Sequence, residues 1–561
     1  MATGTEQVAR TDPLADLRQT VIGAAAEVAG MDTPPGGVVL ERTRKAAHGD
    51  FATNAAMVCA PIARDNPRNV AAKLAEKLAG LLGDDLVSAE VAGPGFLNLT
   101  LSDGWYARTI AAVLDPATPF GSGSAAVVER INVEFVSANP TGPMHLGHGR
   151  NAAYGDALCR VLEYAGHQVG REFYINDFGS QVTRFGASIA ARARGEDPPE
   201  DGYQGVYIER IADAIPGAAD LGSQALADRG IELMIEQIGA TLADMRVEIE
   251  IWFSERELHA DDRFERAIAK LREAGHVYDH EEAVWLRTTT FGDDKDRVLR
   301  RSNGEYTYFA TDIAYHADKL ARGYGRLIDV LGADHHGYIA RMSAALQSLG
   351  GEPDAFEPII MQLVNLTETG VRVQMSKRTG EFVTVDELLE DIGADALRFF
   401  MVQRSHDTTM DLDVALARDQ SDKNPVYYVQ YAHARICSIL TKAGGAETGT
   451  AVATHELHAS ERALVRLLSE FPDEIAETAL RRAPHRLTIY SRELAAGFSA
   501  FYRDCQVVGD DESVQAFRVA LCEATRQTLA RSLDLLGVTA PERMDRADLD
   551  AGVTDGSEVE S

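Results

Sequence analysis

Cysteine is scarce in this sequence, and its positions exclude two classes of protein. The five cysteines lie far apart, and none belongs to a Cys-x-x-Cys pair: Cys59, Cys159, Cys437, Cys505 and Cys522. A zinc ribbon needs clustered thiolates and a small secreted fold needs cysteines that pair, so neither class fits. Isolated cysteines are typical of proteins in a reducing compartment.

Long apolar runs are absent as well. No segment approaches the roughly 20 consecutive apolar residues that a membrane-spanning helix needs. The first residues, "MATGTEQVARTDP", lack the apolar segment of a signal peptide. We therefore expect a cytoplasmic protein that does not bind a membrane.

Lysine is the third shortage. Only 9 lysines accompany 46 arginines, and 86 acidic residues bring the formal net charge to -31. An acidic, salt-adapted surface accounts for this charge, and avoidance of nucleic acid through like-charge repulsion is the alternative. Net charge does not decide between them, because a local basic groove binds phosphates even on an acidic protein.

Hydrophobic periodicity predicts an α/β part followed by an all-α part. The run "ERINVEFVSANP" alternates like a strand, Arg150 to Ala165 has helical spacing, and "REFYIND" is typical of another strand. Strand, helix and strand in this order indicate a βαβ unit and a doubly wound parallel sheet of the Rossmann type. From about Asp411 the pattern is helical without a convincing strand, which predicts a C-terminal helical bundle.

Linkers and composition set the predicted domain boundaries. The small residues from Gly121 to Ala126 are typical of a linker, and "GEDPPEDG" opens an insertion that is mostly helical. The last residues are acidic and almost without apolar side chains, so we expect them to be disordered. The predicted parts are an α+β N-terminal domain at 1–120, an α/β domain at 121–405 with a helical insertion at about 195–290, an all-helical domain at 406–544 and a tail at 545–561.

The loop "ANPTGPMHLGHGR" contains two histidines, His145 and His148, between a predicted strand and a predicted helix. Unpaired N–H groups at a helix N-terminus favour anions, and Gly147 permits close approach of a ligand to the backbone. Two histidines do not complete a metal site, and no Gly-Lys-Ser/Thr follows as in a Walker A loop. A pair of structural histidines and a phosphate-binding turn are the alternatives that are left.

A second motif lies more than two hundred residues further on. "VQMSKRTG" presents Met375, Ser376, Lys377 and Arg378 ahead of Gly380. A glycine-bearing loop with adjacent cations can close over a triphosphate and neutralise the charge on departing pyrophosphate. Alone, a Lys-Arg pair is usually a solvated surface pair. Combined with His-x-Gly-His after the first strand of a doubly wound sheet, it points to nucleotide chemistry.

The two motifs resemble the HIGH and KMSKS signatures of class I aminoacyl-tRNA synthetases. Longer runs, such as "EFVSANPTGPMHLGHGRN", "FYINDFGSQ", "GADHHGYIARM" and "DALRFFMVQRSHDTTMDLDVALA", are similar to arginyl-tRNA synthetases of a bacterial type that retains the MSK lysine. The similarity covers nearly the whole chain. It implies an N-terminal domain that contacts tRNA, a Rossmann-type catalytic domain and a helical domain that binds the anticodon.

The resemblance implies an arginine–tRNA ligase. Such an enzyme activates L-arginine with ATP and Mg²⁺ to arginyl-adenylate and pyrophosphate, and transfers arginine to the terminal adenosine of tRNA(Arg). It implies catalytic roles for His145 and His148 on the ATP phosphates and for Lys377 on the α-phosphate and the leaving pyrophosphate. The implied ATP-binding residues are His145, Gly147, His148, Asp334, His335, Met375, Ser376, Lys377 and Arg378.

The resemblance also implies the residues that bind arginine and tRNA. The arginine-binding candidates are Glu134, Ser137, Asn139, Tyr308 and Asp312, of which the last two are four residues apart and would share one helical face. The tRNA-binding candidates are Tyr428, Tyr431 and Arg482, although aromatics at helical spacing are more often core residues. We expect no tightly bound metal or organic cofactor, and a monomer.

Two departures from the family pattern and one alternative function accompany this assignment. Gln374 stands where the KMSKS pattern has its first lysine, and an acidic tail continues beyond "PERM". The zinc-binding cysteines of cysteinyl-tRNA synthetases are missing. The alternative is a synthetase-like tRNA-binding paralogue without aminoacylation activity. We expect such a paralogue to lack part of the ATP clamp, yet His145, His148 and Lys377 are all present.

Overall fold

The computed structural model describes residues 12–33, 36–43, 48–333, 338–373 and 383–544. These residues form an N-terminal α+β domain, a central α/β domain and a C-terminal helical domain. None of the helices within the described ranges is both long and apolar enough to cross a membrane.

The N-terminal domain packs helices against one face of a small antiparallel sheet with the strand order β1-β2-β4-β3. Val70, Leu74 and Leu78 of its third helix are buried, as their helical spacing predicts, whereas Leu82 at the same spacing is only partly buried. Its elements are α1 (Pro13–Ala29), β1 (Leu40–Arg42), β2 (Phe51–Thr53), α2 (Ala55–Ala63), α3 (Pro67–Leu82), β3 (Leu86–Ala92), β4 (Phe96–Leu101) and α4 (Asp103–Leu114).

The central domain is built on five parallel strands in the order β12-β11-β5-β6-β7. One helix connects β5 to β6 and ends at Tyr164. Gly166 follows with φ 104, a conformation that favours glycine. The elements that form the sheet and its covering helices are β5 (Arg130–Glu134), α5 (Leu146–Tyr164), β6 (Gln168–Ile175), α6 (Ser180–Ala193), α7 (Val206–Ala214), α8 (Ser223–Asp244), β7 (Ile251–Ser254), α9 (Glu255–Ala260), α10 (Arg263–Glu273), β8 (Val277–His280), β9 (Ala283–Leu286), β10 (Arg297–Arg300), α11 (Tyr308–Ala321), β11 (Arg326–Gly332), α12 (Ile339–Ser348) and β12 (Phe356–Met361). The predicted βαβ unit and doubly wound sheet are confirmed.

The predicted insertion at about 195–290 contains short strands as well as the helices α7 to α10. β7 lies within it, yet it extends the central sheet by pairing with β6. β8, β9 and β10 form a separate antiparallel sheet with the order β10-β9-β8. Each of these strands has four residues, which is too short for a periodic pattern to reveal.

A second small sheet includes one strand, at 410–413, in the region that the sequence predicted to be all-helical. β13 (Val364–Glu368) pairs with β14 (Val371–Val373) and with β15 (Met410–Asp413). In the chain, α13 (Val385–Val402) lies between β14 and β15, and α14 (Val414–Arg418) follows β15. The pairing of β15 with β13 extends the α/β part of the fold beyond residue 405, since a strand at 410–413 completes its sheet.

The C-terminal domain is helical, as the sequence predicts. Asn424 caps its first helix by accepting a hydrogen bond from the N–H of Val426, and Pro425 occupies the first helical position. The helices of this domain are α15 (Pro425–Lys442), α16 (Ala459–Ser469), α17 (Phe471–Leu480), α18 (His485–Asp504) and α19 (Glu512–Leu535).

Arginine–carboxylate pairs join the N-terminal domain to the helical domain. Arg462 of α16 donates to Asp103 at the start of α4, with 2.6 Å between Nη2 and Oδ1. Arg466, one turn further along α16, donates to Asp50 beside β2 at 3.2 Å. Asp50 also accepts the N–H of Leu101, so its carboxylate contacts both domains.

Candidate active site

A cleft of about 1490 Å³ opens at the carboxyl ends of the parallel strands. Glu134 ends β5, Tyr174 lies near the end of β6, and Asp329 lies within β11, and all three line the cleft. Open α/β sheets bind ligands at this edge, because the loops and helix N-termini converge there.

The N-terminus of α5 presents two stacked imidazoles to the cleft. The ring centroids of His145 and His148 are 3.7 Å apart. Nδ1 of His145 accepts the N–H of Gly147, and Nδ1 of His148 accepts the N–H of His145. Because Nδ1 is an acceptor in both neutral rings, the proton lies on Nε2. Burial and the neighbouring His145 lower the pKa of His148 to about 3, so this ring is a neutral donor.

The chain leaves β5 through a turn with an unusual backbone. Val136 has φ 69 and Ser137 has φ 38, values that non-glycine residues rarely adopt. The hydroxyl of Ser137 donates to Glu134 at 2.9 Å and accepts the N–H of Tyr174 at 3.1 Å. The turn therefore aims Ser137 between two neighbouring strands.

Lys319 of α11 is completely buried beneath the cleft. Its ammonium donates to Glu134 at 2.6 Å and to Asp329 at 3.0 Å, two residues that face each other across neighbouring strands. Burial alone would raise the pKa of Asp329, but Lys319 and His316 outweigh it and hold that pKa below its usual value. Asp329 is thus held in its charged form, and the single ammonium of Lys319 is shared by the carboxylates of Asp329 and Glu134.

Asp312 and Glu255 have a different electrostatic environment. Burial raises the pKa of Asp312 to about 6, although the charges of His316 and Arg341 lower it. Burial and the charge of Asp312 raise the pKa of Glu255 to about 7, against a hydrogen bond from Tyr174 that lowers it. A cation that entered beside them would favour their charged forms. The two side chains are suited to receive a positively charged group.

Glu255 was missed by the sequence reasoning. It directly follows β7, at the same edge of the sheet as Glu134. The signal was an acid after a strand-like run, "EIWFSE", but this run fell within the segment predicted to be a helical insertion. Within the described ranges, no three His, Cys, Asp or Glu side chains converge as a metal-binding group.

The structure brings seven of the predicted site residues together. Those that line the cleft are Glu134, Ser137, Asn139, His145, Gly147, His148 and Asp312. Tyr308 begins α11, one turn before Asp312, but its side chain is 79% exposed and lies outside the lining of the cleft. Arg372 and Val383, which flank the MSK motif, both line the cleft. The predicted residues outside the described ranges are Asp334, His335, Gln374, Met375, Ser376, Lys377 and Arg378.

The predicted tRNA-binding residues are separated in the structure. Tyr431 on α15 is half-buried and accepts a hydrogen bond from Arg435, whose guanidinium also lies over the ring of Tyr502. Tyr428 packs against the core. Arg482 forms an ion pair with Glu357 of β12, and its side chain is only 14% exposed. Arg482 thus connects the central domain to the helical domain, and its role in binding tRNA stays a prediction.

A doubly wound parallel sheet with paired histidines at the first crossover helix, followed by a helical domain, defines a class I aminoacyl-tRNA synthetase. Family comparisons agree with this class: "tRNA synthetases class I (R), catalytic domain" matches residues 121–201 and 230–434. "Arginyl tRNA synthetase N terminal domain" matches 15–101, and "DALR anticodon binding domain" matches 429–544. The chain belongs to the arginyl-tRNA synthetase family.

Known relatives agree over nearly the whole length. The chain is 44% identical over 554 residues to an arginine–tRNA ligase of Geobacillus kaustophilus, covering 94% of this chain and 98% of the relative. It is similar to the Thermus thermophilus arginyl-tRNA synthetase structure, with a TM-score of 0.75, 25% identity, and coverage of 94% of this chain and 100% of that chain. The Plasmodium falciparum arginyl-tRNA synthetase structure, at 16% identity and a TM-score of 0.75, covers 96% and 100% and supports the fold.

Proposed function

We propose which residues in the cleft of this arginine–tRNA ligase bind each part of its substrates. The substrates are L-arginine, ATP and tRNA, and class I synthetases in general use ATP together with Mg²⁺. The observation that carries the proposal is a contrast among four acids: Glu134, Asp312 and Asp329 line the cleft, and Glu255 accepts a hydrogen bond from Tyr174, which also lines it. The ammonium of Lys319 contacts both Glu134 and Asp329, whereas Asp312 and Glu255 have raised pKa values.

The guanidinium end of arginine is placed between Asp312 and Glu255. A planar guanidinium donates in several directions at once, so two carboxylates match it better than they match the single ammonium of lysine. Tyr174 lies beside both acids, since the charges of each raise its pKa. His259, 3.8 Å from Glu255, does not replace the substrate, because burial lowers the pKa of its imidazole and keeps it neutral.

The α-ammonium end of arginine is placed near the β5 turn. Ser137 and Asn139 line this part of the cleft, and Glu134 offers a carboxylate that already accepts hydrogen bonds from Lys319 and Ser137. A carboxylate has sites for further hydrogen bonds, so Glu134 is suited to hold the α-ammonium. Tyr308 has a place in the proposed pocket by resemblance alone, since its side chain is exposed.

The ATP phosphates are placed at the N-terminus of α5. His145 and His148 supply Nε2–H donors there, and the helix dipole favours negative charge. Lys377 is five residues from Arg372 and six from Val383, both of which line the cleft. By resemblance, Lys377 stabilises the α-phosphate and the leaving pyrophosphate, with Asp334, His335, Met375, Ser376 and Arg378 as further ATP contacts.

These groups act by positioning and charge stabilisation. The arginine carboxylate attacks the α-phosphate in line with the departing pyrophosphate, so the enzyme needs no covalent nucleophile. Donors fixed before the reaction stabilise the charge that develops on the phosphate oxygens. The neutral His148 donates without first having to lose or gain a proton.

The anticodon surface is proposed around Tyr431, Arg435 and Tyr502. A guanidinium stacked between aromatic rings offers both a π surface and a charge to single-stranded bases. Tyr428, which packs against the core, is proposed to support this surface instead of contacting RNA. We further propose that the ligase is a monomer and acts in the cytoplasm, where its three substrates are found.

Arginine-dependent ATP–pyrophosphate exchange, with and without tRNA, tests the activity. Exchange is expected once tRNA is present, and its absence at every salt concentration would support the inactive tRNA-binding paralogue. Asp312→Asn tests the pocket: we expect the arginine KM to rise at least tenfold, because the guanidinium loses a charged partner. The ATP KM should change little. Asp318→Asn on the same helix, whose carboxylate pairs with Arg322, is the matched control.

A further inference from the structure

α5 approaches β5 unusually closely on the side of the cleft. A Cβ atom added to Gly155 would lie 2.4 Å from the ring of Phe135. Only glycine fits there, because atoms of Phe135 occupy the space that a side chain would need. This approach brings the preceding turn of the helix within hydrogen-bond distance of the backbone that leaves β5.

Asn151 lies on that turn, is 7% exposed and lines the cleft. Its Oδ1 accepts the N–H of Val136 at 2.6 Å, and its Nδ2 donates to the carbonyl of Val330 at 2.9 Å. One amide therefore connects the turn after β5 to β11. The two partners fix the orientation of the Asn151 amide, because the N–H of Val136 needs an oxygen acceptor and the carbonyl of Val330 needs an N–H donor.

The N–H that Asn151 holds belongs to the strained turn. Val136 is β-branched and has φ 69, and Ser137 follows with φ 38. Non-glycine residues keep such conformations only where surrounding contacts impose them. Within this turn the N–H of Ser137 bonds to the carbonyl of Phe135, and the N–H of Val136 is held by Asn151.

We propose that Asn151 is a positioning residue that holds the Val136–Ser137 turn in the form that binds arginine. Asn151 lies three residues after His148 on α5, so the helix whose N-terminus contacts ATP also fixes the turn that carries Ser137. The proposal rests on the proposed arginine pocket. Loss of the amide lets the turn relax, and Ser137 then moves away from Glu134 and Tyr174.

Asn151→Ala and Asn151→Ser remove both hydrogen bonds, and the serine variant keeps a polar group in the space. We expect the arginine Kd, measured by calorimetry on the full chain, to rise about tenfold or more in both variants. The ATP Kd should change less than about threefold, because His145 and His148 stay in place. An arginine Kd within about twofold of the parent in a folded variant overturns the proposal.

A second substitution separates positioning from a general loss of stability. Val136→Gly removes the cost of a positive φ, so the turn depends less on Asn151. Asn151→Ser raises the arginine Kd by some factor in the parent chain. In the Val136→Gly background this factor should be at least about three times smaller. Equal losses in both backgrounds would show that Asn151 does not act through the turn.

Asn424→Ala is the matched structural control. Asn424 is also a buried amide that accepts one backbone N–H, that of Val426, and donates to backbone carbonyls, but it lies at the start of the helical domain. Its replacement should lower the Tm and leave the arginine Kd within about twofold of the parent. An arginine Kd as high as that of Asn151→Ser would assign the effect to stability and overturn the proposal.

Amide exchange distinguishes failure of this proposal from failure of the proposed pocket. Asn151→Ser should speed exchange in the peptide that contains Val136, since its N–H loses its acceptor. Unchanged exchange there overturns the role of Asn151. Faster exchange together with a Ser137→Ala variant that binds arginine normally instead overturns the assignment of the turn to the arginine pocket.

Discussion

Arg398 of α13 donates to Asp156 of α5 with 2.5 Å between Nη2 and Oδ2, and both side chains are completely buried. The same guanidinium donates to the carbonyl of Met245, at the end of α8, and to that of Leu536, at the end of α19. Asp156 also accepts from Arg171 of β6. One buried ion pair thus joins α5, the insertion and the end of the helical domain.

Asp156→Asn should lower the free energy of unfolding by about 3–5 kcal/mol, because it leaves buried guanidinium groups without a balancing charge. Thermal unfolding measures the loss as a fall in Tm. The control is Asp534→Asn, whose pair with Arg531 is exposed and is expected to contribute less than about 1 kcal/mol. Equal shifts in the two variants would contradict a special role for the buried pair.

Arginine affinity should depend on pH through Asp312 and Glu255. Burial raises their pKa values to about 6 and about 7, and a neutral carboxylic acid attracts a guanidinium weakly. Arginine should therefore bind weakly near about pH 5 and more tightly near about pH 8, with protons released on binding in between. Calorimetry in two buffers of different ionisation enthalpy counts these protons.

Glu255→Gln should remove the change in arginine affinity near about pH 7, which belongs to Glu255. The change near about pH 6, which belongs to Asp312, should stay. A pH profile unchanged by this substitution would remove Glu255 from the pocket. The effect of the two acids on the free energy of unfolding has the opposite dependence on pH. Since these acids ionise less readily in the folded chain than in the unfolded one, they reduce stability as the pH rises from about 4 to about 7.

Lys377→Ala should lower the rate of ATP–pyrophosphate exchange about 10²–10³-fold, because it removes a cation from the charge that builds on the phosphates. The arginine Kd should stay within about twofold, since the guanidinium pocket is intact. Lys270→Ala, at an exposed position on α10, is the control for loss of one lysine. An exchange rate near that of the parent would refute the role of Lys377.

Tyr431→Ala should raise the KM for tRNA about 5- to 150-fold, the range expected for the loss of one stacked base. The arginine Kd without tRNA should not change, because Tyr431 lies outside the cleft. Tyr428→Phe, which loses only a hydroxyl 3.4 Å from that of Ser499, is the comparison. A larger effect of Tyr428→Phe on the KM for tRNA would reverse the two roles.

The βαβ unit and its histidine loop could be predicted from the sequence because their signals are local. Apolar spacing marks α5, Gly166 marks its end, and alternation marks β5 and β6. The family motifs then brought His145, Ser137 and Asp312 to one site, and the structure places all three around one cleft.

The remaining features depend on pairing between distant segments. β15 forms against β13, more than forty residues earlier, and a four-residue strand has too little pattern to show this. The placement of β7 at the sheet edge is likewise a tertiary fact, and it brings Glu255, which directly follows β7, to the same edge of the sheet as Glu134. The buried amide of Asn151 required the close approach at Gly155, which no spacing reveals.

The ion pairs of the α16 arginines affect the rate at which tRNA first approaches the protein. Arg462 and Arg466 form ion pairs with Asp103 and Asp50, so their charge is balanced within the protein and adds little to the field outside it. In a chain with a net charge of -31, the field that a distant RNA meets is repulsive. Salt screens this repulsion beyond about 10 Å at roughly 0.1 M ionic strength, so moderate salt speeds the first approach of tRNA.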